Sequence, residues 1–189
     1  MNDHKGFFAM MARMKYIERW ALMRNSVSEN ICEHSLEVAM LAHGLGIIGR
    51  KRFGKDLSPE RLAMLGMYHD CTEIITGDMP TPVKYANDEL KEAYKAIEDS
   101  AAHRLLEMLP EDLRAEYESY FLPEQITPEE YRYVKAADKL SALIKCIEEE
   151  KTGNQEFRSA KQATYESLQQ MNMPEVTVFC EVFLPEDYK

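Results

Sequence analysis

The strongest constraint on the fold is a histidine beside an aspartate, His69 and Asp70, at the end of the apolar run of residues 62–67. Adjacent helical residues point about 100° apart, so at least one of these side chains borders the apolar side. Glu73 follows at a spacing that brings its carboxylate to the same face of a continuous helix. An imidazole and two carboxylates beside apolar residues need a compensating charge, which a divalent cation would supply. The alternative is a solvated helix end that carries polar residues by chance, and this stretch alone favours neither interpretation.

The composition indicates one folded, helix-rich domain. The 189 residues suffice for a sizeable core, 45% of them are hydrophobic, and glycine and proline number only eight each. The net charge of -10 disfavours binding to DNA or RNA over a broad surface but permits a small anionic ligand. The four cysteines form no C-x-x-C pair, and we find neither a secretory signal nor a membrane-spanning run. We therefore expect reduced thiols in a cytoplasmic protein that has no membrane partner.

The spacing of apolar residues predicts an all-α fold. Ser58-Pro59-Glu60 and Thr127-Pro128-Glu129 are both typical helix starts, with an N-cap, a proline at the first position and an acid in the first turn. Residues 77–82 contain two prolines and are predicted to form a rigid loop. Residues 176–184 are apolar and β-branched, but they lack an evident partner strand and are assigned to a final short helix. The predicted helices cover residues 6–24, 31–51, 58–77, 87–109, 113–120, 128–151, 155–172 and 176–184.

His34 falls in line with the apolar seam of the second predicted helix. A lone histidine on an apolar face is more often a core residue than a ligand, so this position is only a candidate. The seam consists of Val38, Leu41, Leu45 and Ile48.

Asp138 falls within a mostly apolar stripe of a long helix, which includes Tyr131, Val134 and Ala142. A buried carboxylate normally has a cation or dense hydrogen bonding, because burying it unpaired is costly. Two other interpretations are a salt bridge to a neighbouring helix and a misjudged stripe. The competing apolar face consists of Ala137, Leu140, Ile144 and Ile147.

Three predicted helices thus each offer polar side chains in an apolar setting: His34, the pair of His69 and Asp70, and Asp138. Two imidazoles and two carboxylates are a plausible ligand set for one divalent transition metal, with positions left for water and substrate. Mixed nitrogen and oxygen ligands favour Mn, Fe, Co, Ni or Zn over a cysteine-based zinc site.

The order His…His-Asp…Asp resembles the HD-domain superfamily of metal-dependent phosphohydrolases. From Phe7 to about Phe183 the chain is more closely similar to the bacterial 5′-deoxynucleotidase group, the YfbR type. Met79 stands where that group usually has leucine. The motifs that carry the resemblance are Arg19-Trp20, Glu29-Asn30-x-x-Glu33-His34-Ser35, Met67-Tyr68-His69-Asp70-x-x-Glu73, Thr76-Gly77-Asp78-Met79-Pro80-Thr81-Pro82-Val83-Lys84-Tyr85 and Lys135-Ala136-Ala137-Asp138.

The resemblance implies an all-α HD-domain bundle over residues 1–189, a homodimer, and hydrolysis of deoxyribonucleoside 5′-monophosphates. It implies one divalent ion, Co²⁺, Mn²⁺ or similar, as the cofactor. It also implies that Arg19 and Trp20 orient the phosphate and discriminate against a 2′-hydroxyl. The implied metal ligands are His34, His69, Asp70 and Asp138. The expected substrate contacts are Arg19, Trp20, His34, Asp70, Asp78, Met79, Pro80, Thr81, Lys84 and Asp138.

The expected chemistry gives roles to four side chains. Glu73, required for turnover in the family, would take a proton from the attacking water or orient it. Asp78 is a possible proton donor to the leaving 5′-oxygen, and Arg19 and Lys84 would stabilise the phosphate charge.

Two other functions remain open from the sequence. One is an HD-type phosphohydrolase that acts on a nucleoside triphosphate, a cyclic nucleotide or an alarmone, although the motif regions are poor in lysine and arginine. The other is a non-catalytic helical module that senses nucleotides, which would have no need of Glu73.

Overall fold

The computed structural model describes residues 6–84 and 86–185. The polar start of the chain and Tyr85 of the loop motif lie outside the described residues. Regular structure in the described part is helical, apart from a single antiparallel bridge between Glu18 and Asn30. The all-α prediction is therefore confirmed. The helices are α1 (Phe7–Met11), α2 (Ile31–Phe53), α3 (Pro59–Tyr68), α4 (Glu73–Thr76), α5 (Thr81–Lys84), α6 (Asp88–Leu106), α7 (Glu111–Phe121), α8 (Pro128–Lys151), α9 (Arg158–Gln170) and α10 (Pro174–Phe183).

The predicted helix starts are confirmed by their capping bonds. The Ser58 hydroxyl accepts a hydrogen bond from the Arg61 N–H at the start of α3. Thr127 and Glu130 form a reciprocal capping box at the start of α8, in which each side chain accepts from the other's backbone N–H. Residues 176–183 lie within α10, so the final segment is a helix rather than a strand.

The prediction of one helix over residues 6–24 is wrong beyond Tyr16. α1 continues into a short 3₁₀ segment, Ala12–Tyr16, after which the chain is extended. The Arg19 N–H donates to the Glu29 carbonyl, and the Ile31 N–H donates to the Ile17 carbonyl. The apolar spacing therefore continued past the true helix end, and Arg19 lies on an extended segment.

The predicted helix over residues 58–77 is interrupted at the most polar positions. α3 ends at Tyr68, and the next four residues form turns that lead into α4. These turns are closed by tight bonds from the Cys71 N–H to the Tyr68 carbonyl and from the Glu73 N–H to the Asp70 carbonyl. The relation between Asp70 and Glu73 is therefore set by a turn and not by a continuous α-helix.

The apolar stripe of α8 that contains Asp138 is only partly buried. Val134 is in the core and Asp138 is half-buried, but Tyr131 is 58% exposed. The competing face is more deeply buried, with Ala137, Leu140 and Ile147 in the core.

The described residues group into two compact units, and the prediction of a single domain stays a prediction. The first unit comprises the described residues up to Leu22, together with Ser28–His34 and Tyr68–Ile126. α6 is its central element, because it contacts α1, α4, α5 and α7. The unit's core consists of Phe7, Met14, Ile31, Cys71, Ile74, Ala102, Leu105, Leu106, Leu109, Phe121 and Leu122.

The second unit contains most of α2, with α3, α8, α9 and α10. α3 lies against the backbone of α2: a Cβ atom added to Gly66 would lie 3.0 Å from the Ala39 Cα and nitrogen atoms. Only glycine permits this close approach. On α2, a Cβ atom at Gly49 would collide with the Tyr133 hydroxyl, which itself donates to the buried Glu175 at 2.6 Å.

Among the described helices, α2 alone is long and apolar enough to cross a membrane. However, 56% of its most apolar window is buried in the structure. The core helix of a water-soluble domain meets the same criterion, so this feature is weak evidence for a membrane span.

A buried ion pair fixes the start of the second unit. Lys145 Nζ lies 2.5 Å from Glu149 Oε1, and both side chains are buried. Glu149 also accepts hydrogen bonds from the Ser26 N–H and from Asn154, while Lys145 donates to the Val27 carbonyl. Burial opposes the ionisation of Glu149, but the hydrogen bonds from Lys145, Ser26 and Asn154 outweigh it and lower the pKa of Glu149 to about 2.

We expect Glu149→Gln to lower the free energy of unfolding at pH 7 by about 3 kcal/mol, because the buried Lys145 loses its counter-charge. The pKa of Glu149 is lowered from 4.5 to about 2 on folding. Its contribution is therefore complete above pH 4.5 and disappears as the pH falls through about 2. Urea denaturation across this pH range measures the difference between variant and parent.

Glu150→Gln is the matched control. Glu150 pairs with Lys161 and Arg158 at the surface, so its loss should change stability by less than about 1 kcal/mol. Equal stability of Glu149→Gln and its parent at pH 7 would contradict the expected role of the pair.

Candidate active site

Three of the four predicted metal ligands lie together in the first unit. His34 is on the first turn of α2, and His69 and Asp70 are in the turn after α3. Asp70 Oδ2 lies 3.1 Å from His69 Nε2 and 3.5 Å from His34 Nε2. One donor atom from each residue lies within 4.8 Å of the other two.

This geometry fits a divalent transition metal. Ligand atoms about 2.1 Å from one ion are about 3.0 Å apart at a right angle and about 3.4 Å apart at a tetrahedral angle. The two measured separations match these values. Two imidazole nitrogens and one carboxylate oxygen are also the donor types that Mn, Fe, Co, Ni and Zn accept.

The fold holds the turn of His69 and Asp70 between buried anchors. Tyr68 packs on Phe121 with ring centroids 5.3 Å apart, and Cys71 is buried in the core of the first unit. The start of α2 is fixed by Asn30, whose side-chain oxygen accepts from the N–H groups of the next helical residues. The donor atoms thus lie on rigidly held helix ends.

Glu29 lies beside His34 Nδ1, the ring nitrogen that does not face Asp70. Its Oε1 lies 3.5 Å from His34 Nδ1, which leaves His34 Nε2 directed at Asp70. A carboxylate behind a histidine ligand fixes the tautomer and the ring orientation in metalloproteins. Burial opposes the ionisation of Glu29, but contacts with His34, Arg19 and Trp20 outweigh it and hold the pKa of Glu29 below its ordinary value.

Two further carboxylates adjoin this site. Glu73 begins α4 and is only 9% exposed, and its Oε2 has no hydrogen-bond partner among the described residues. Burial raises the pKa of Glu73, and Asp70 and Asp78 raise it further, while Arg19 partly offsets them. Burial also raises the pKa of Asp78, against the opposing charge of Arg19. This concentration of buried negative charge is the kind that a bound cation stabilises.

Arg19 and Trp20 lie in the segment that follows Tyr16, beside these carboxylates. Arg19 Nη1 is buried without a hydrogen-bond acceptor among the described residues, and it lies 3.7 Å from Glu29 Oε1. The Trp20 indole N–H donates to Glu29 Oε2 at 2.8 Å. Trp20 has a left-handed φ of +60°, which is uncommon for a bulky residue and typical of strained functional positions. Its backbone N–H donates to the Asp78 carboxylate.

α6 supports the loop of residues 77–84. The Tyr94 hydroxyl lies 3.1 Å from both Thr76 Oγ1 and the Gly77 carbonyl oxygen, where Gly77 adopts a left-handed φ of +75°. Lys84 Nζ lies 2.8 Å from Glu98 Oε1 and 4.7 Å from the centre of the Tyr94 ring. Tyr94 itself is buried on α6.

The remaining predicted loop residues are partly accessible. Met79 and Pro80 are half-buried, and Thr81 is exposed at the start of α5. These positions follow Gly77 and precede the Lys84 contact, so both ends of the loop are fixed.

Asp138, the fourth predicted ligand, is on α8 in the second unit. Its side chain is 21% exposed, and Oδ2 lies 3.1 Å from Lys135 Nζ within the same helix. Its role as a metal ligand stays a prediction.

The comparisons with known proteins agree with these motifs. A family model described as 5′-deoxynucleotidase YfbR-like matches residues 6–187. A Vibrio cholerae protein named 5′-deoxynucleotidase is 48% identical over 179 residues, which cover 95% of this chain and 92% of that protein. A Shigella boydii protein named 5′-deoxynucleotidase YfbR is 46% identical over 179 residues, which cover 95% and 90% respectively.

Solved structures show the same fold. An HD-domain phosphohydrolase from Listeria innocua matches with a TM-score of 0.83 at 23% identity, over 96% of this chain and 87% of that chain. A cyanophage S-2L HD phosphohydrolase, bound to dA and one catalytic Zn²⁺ ion, matches with a TM-score of 0.65 at 21% identity, over 92% and 93%. The predicted HD-domain helical fold is therefore confirmed.

We expect His69→Ala to reduce the bound divalent metal from stoichiometric to a small fraction, because it removes one of three clustered donors. Metal analysis of protein dialysed against Mn²⁺ or Co²⁺ measures this directly. His103→Ala is a suitable control, since His103 is an exposed histidine on α6 whose ring contacts the Asp99 carbonyl. Unchanged metal content in the His69 variant would contradict the assignment.

Proposed function

Because the chain belongs to the 5′-deoxynucleotidase YfbR-like family, we propose that it hydrolyses deoxyribonucleoside 5′-monophosphates to the deoxynucleoside and phosphate. The observation that carries this proposal is the donor set of the buried His34 and the half-buried His69 and Asp70, beside Glu73 and Arg19. Groups that could bind a metal, activate water and bind a phosphate all lie in the first unit, which supports the proposal.

We propose one divalent transition ion, such as Co²⁺ or Mn²⁺, as the cofactor. His34, His69 and Asp70 would hold it, and we propose Asp138 as a fourth ligand. When bound, such an ion acts as a Lewis acid and makes hydroxide available near neutral pH. Metal analysis of Asp138→Ala tests the fourth ligand, because unchanged metal content would remove it from the set.

Glu73 and Asp78 divide the proton handling in this proposal. Glu73 begins α4, one turn after Asp70, so its carboxylate can orient the attacking water or take its proton. Asp78 accepts a hydrogen bond from the Trp20 N–H, and we assign it the transfer of a proton to the leaving 5′-oxygen.

Arg19 is proposed to bind the phosphate. Its planar guanidinium can donate two parallel hydrogen bonds to phosphate oxygens, and its Nη1 atom is already desolvated. Donors that are held in place before the reaction stabilise charge that develops in the transition state. Lys84, kept near the site by Glu98, adds a second positive charge. We further propose that the half-buried Met79 and Pro80 and the exposed Thr81 contact the nucleotide, with His34, Asp70 and Asp138 near its phosphate.

Trp20 is proposed to select the sugar. A rigid ring packed against C2′ leaves no room for an additional hydroxyl, whereas a site that merely tolerates hydrogen discriminates poorly. The hydrogen bond from the indole to Glu29 holds the ring in one orientation.

We propose that the protein is a cytoplasmic homodimer that binds neither nucleic-acid polymers nor membranes. The exposed face of α2 carries an apolar stripe of Leu36, Met40 and Ile47, at 54%, 61% and 37% exposure, which a second copy of the chain would cover. Light scattering gives the mass in solution, and a monomer at micromolar concentration would overturn the dimer.

The direct test measures phosphate release from dAMP and AMP by metal-stripped protein resupplied with Mn²⁺ or Co²⁺. Metal-dependent release from dAMP, with little from AMP, is the expected result. Equal release from both would retain the phosphohydrolase and refute the selectivity. Release only from a triphosphate, a cyclic nucleotide or an alarmone would replace the substrate, and no release with metal bound would favour a nucleotide-sensing module.

We expect Trp20→Ala to raise activity on AMP relative to dAMP by about 5- to 150-fold, equivalent to roughly 1–3 kcal/mol of steric exclusion. The ratio of kcat/KM values for the two substrates is the measurement. Tyr16→Ala, which truncates an exposed aromatic residue near the same segment, should leave this ratio unchanged. An unchanged ratio in the Trp20 variant would exclude the steric explanation.

We expect Glu73→Gln to retain the metal but to lower kcat by at least about 100-fold, because the amide cannot take a proton from water. Parallel metal analysis and single-turnover kinetics separate the two effects. Hydrolysis at the parental rate would remove Glu73 from the mechanism.

A further inference from the structure

One carboxylate, that of Glu29, contacts three side chains that have different roles in the proposed reaction. Its Oε2 accepts a hydrogen bond from Trp20 Nε1 at 2.8 Å. Its Oε1 lies 3.5 Å from His34 Nδ1 and 3.7 Å from Arg19 Nη1. The side chain is only 13% exposed, so these contacts are largely shielded from water.

The backbone fixes Glu29 in this position. Its carbonyl accepts from the Arg19 N–H at 2.9 Å, and the adjoining residues Glu18 and Asn30 form the antiparallel bridge. The Asn30 side-chain oxygen also accepts hydrogen bonds from the Cys32 and Glu33 N–H groups in the first turn of α2. Glu29 is therefore held between the extended segment and the helix that carries His34.

The contacts constrain both neighbours. As the acceptor for His34 Nδ1, Glu29 fixes the ring so that Nε2 faces Asp70, and losing such a partner typically weakens metal binding by about 10- to 100-fold. As the acceptor for the Trp20 indole, it holds a ring whose backbone already has a left-handed φ of +60°. A strained residue keeps such a conformation only when its surroundings determine it strongly.

We propose that Glu29 is a positioning residue that couples metal binding at His34 to the orientation of Trp20, and hence to the selection against a 2′-hydroxyl. The inference deepens the proposed function and rests on it. With a divalent ion bound, the His34 imidazole would be a stronger donor, and its hydrogen bond from Nδ1–H to Glu29 would strengthen. The hydrogen bond from the indole N–H to the same carboxylate would then also change. The metal site at His34 and the Trp20 ring are thus coupled through the Glu29 side chain.

The chain offers a direct readout of this coupling, because Trp20 is the single tryptophan. Its emission reports the surroundings of the indole ring without any need for turnover. Zn²⁺ is a suitable probe, since it lacks the electronic transitions that would quench the emission directly. In the parent protein, we expect the emission to change with Zn²⁺ concentration in parallel with binding measured by calorimetry.

Glu29→Gln is the principal variant. We expect its affinity for Zn²⁺ to fall by about 10- to 100-fold, and the emission change at saturating Zn²⁺ to be lost. We also expect its preference for dAMP over AMP to fall towards that of Trp20→Ala. Glu33→Gln is the matched control, because Glu33 is an exposed acid at the same helix start that accepts a hydrogen bond from the Asn30 N–H. Its affinity, emission and preference should match the parent.

Trp20→Phe provides a second, independent variant. It removes the indole donor but keeps the metal site and an aromatic ring, so we expect the preference for dAMP to fall while Zn²⁺ affinity stays within about twofold of the parent. Combining Trp20→Phe with Glu29→Gln should lower the preference no further than either change alone. Additive losses would show that Glu29 does not act through Trp20 and would overturn the inference, even if Glu29→Gln alone proved poorly folded.

The outcomes for this inference and for the proposed function are distinguishable. A parent protein that binds Zn²⁺ but releases no phosphate from dAMP would refute the function, while the emission titration would still decide the coupling. An active and selective parent whose Glu29→Gln variant keeps its metal affinity and its emission change would refute the coupling alone.

Discussion

Buried negative charge is the constraint on which the rest of the site depends. Glu29, Asp70, Glu73 and Asp78 all lie near the two imidazoles, and Glu73 is almost fully enclosed. Carboxylates in such surroundings must be protonated or compensated by positive charge. Arg19 offsets part of this charge, and Asp70 Oδ2 and the two histidine nitrogens near it have the spacing at which a divalent ion would offset the remainder. A cation bound at the candidate metal site would thus also balance the buried negative charge.

The functional side chains lie at helix ends and on a short extended segment, rather than in the middle of helices. This placement explains which parts of the structure could be predicted from the sequence. Long periodic segments such as α2 and α8 were predicted to within a few residues, since an apolar stripe repeated over many turns is a strong signal. The interruptions at Ile17 and at His69 were missed, because the apolar spacing continues through both while the hydrogen bonding changes.

The individual site residues likewise fall into those whose positions the sequence predicted and those whose positions it did not. His34 was correctly placed on the buried seam of α2, where it is only 1% exposed. The proximity of Glu73 to Asp70 was also anticipated, but for an inexact reason: a tight turn, not a continuous helix, brings the backbones together. Asp138 was singled out by its place in an apolar stripe, but that stripe is only partly buried, since Val134 is buried, Asp138 is half-buried and Tyr131 is exposed. Glu29 was visible as part of a motif, yet no periodicity could show that its carboxylate meets Trp20, Arg19 and His34, which are brought together by an antiparallel bridge.

The strongly acidic chain is compatible with an anionic substrate, because the net charge and the local cations act over different distances. The net charge of -10 acts through solvent, where salt screens it beyond about 8 Å. In the proposed function, a phosphomonoester would instead be bound beside Arg19, Lys84 and a divalent cation in a less solvated environment, where each interaction is much stronger. A polymer of phosphates would have to lie across the acidic surface as well, without comparable compensation. On this proposal the local cations, rather than the overall field, would be responsible for binding a single nucleotide.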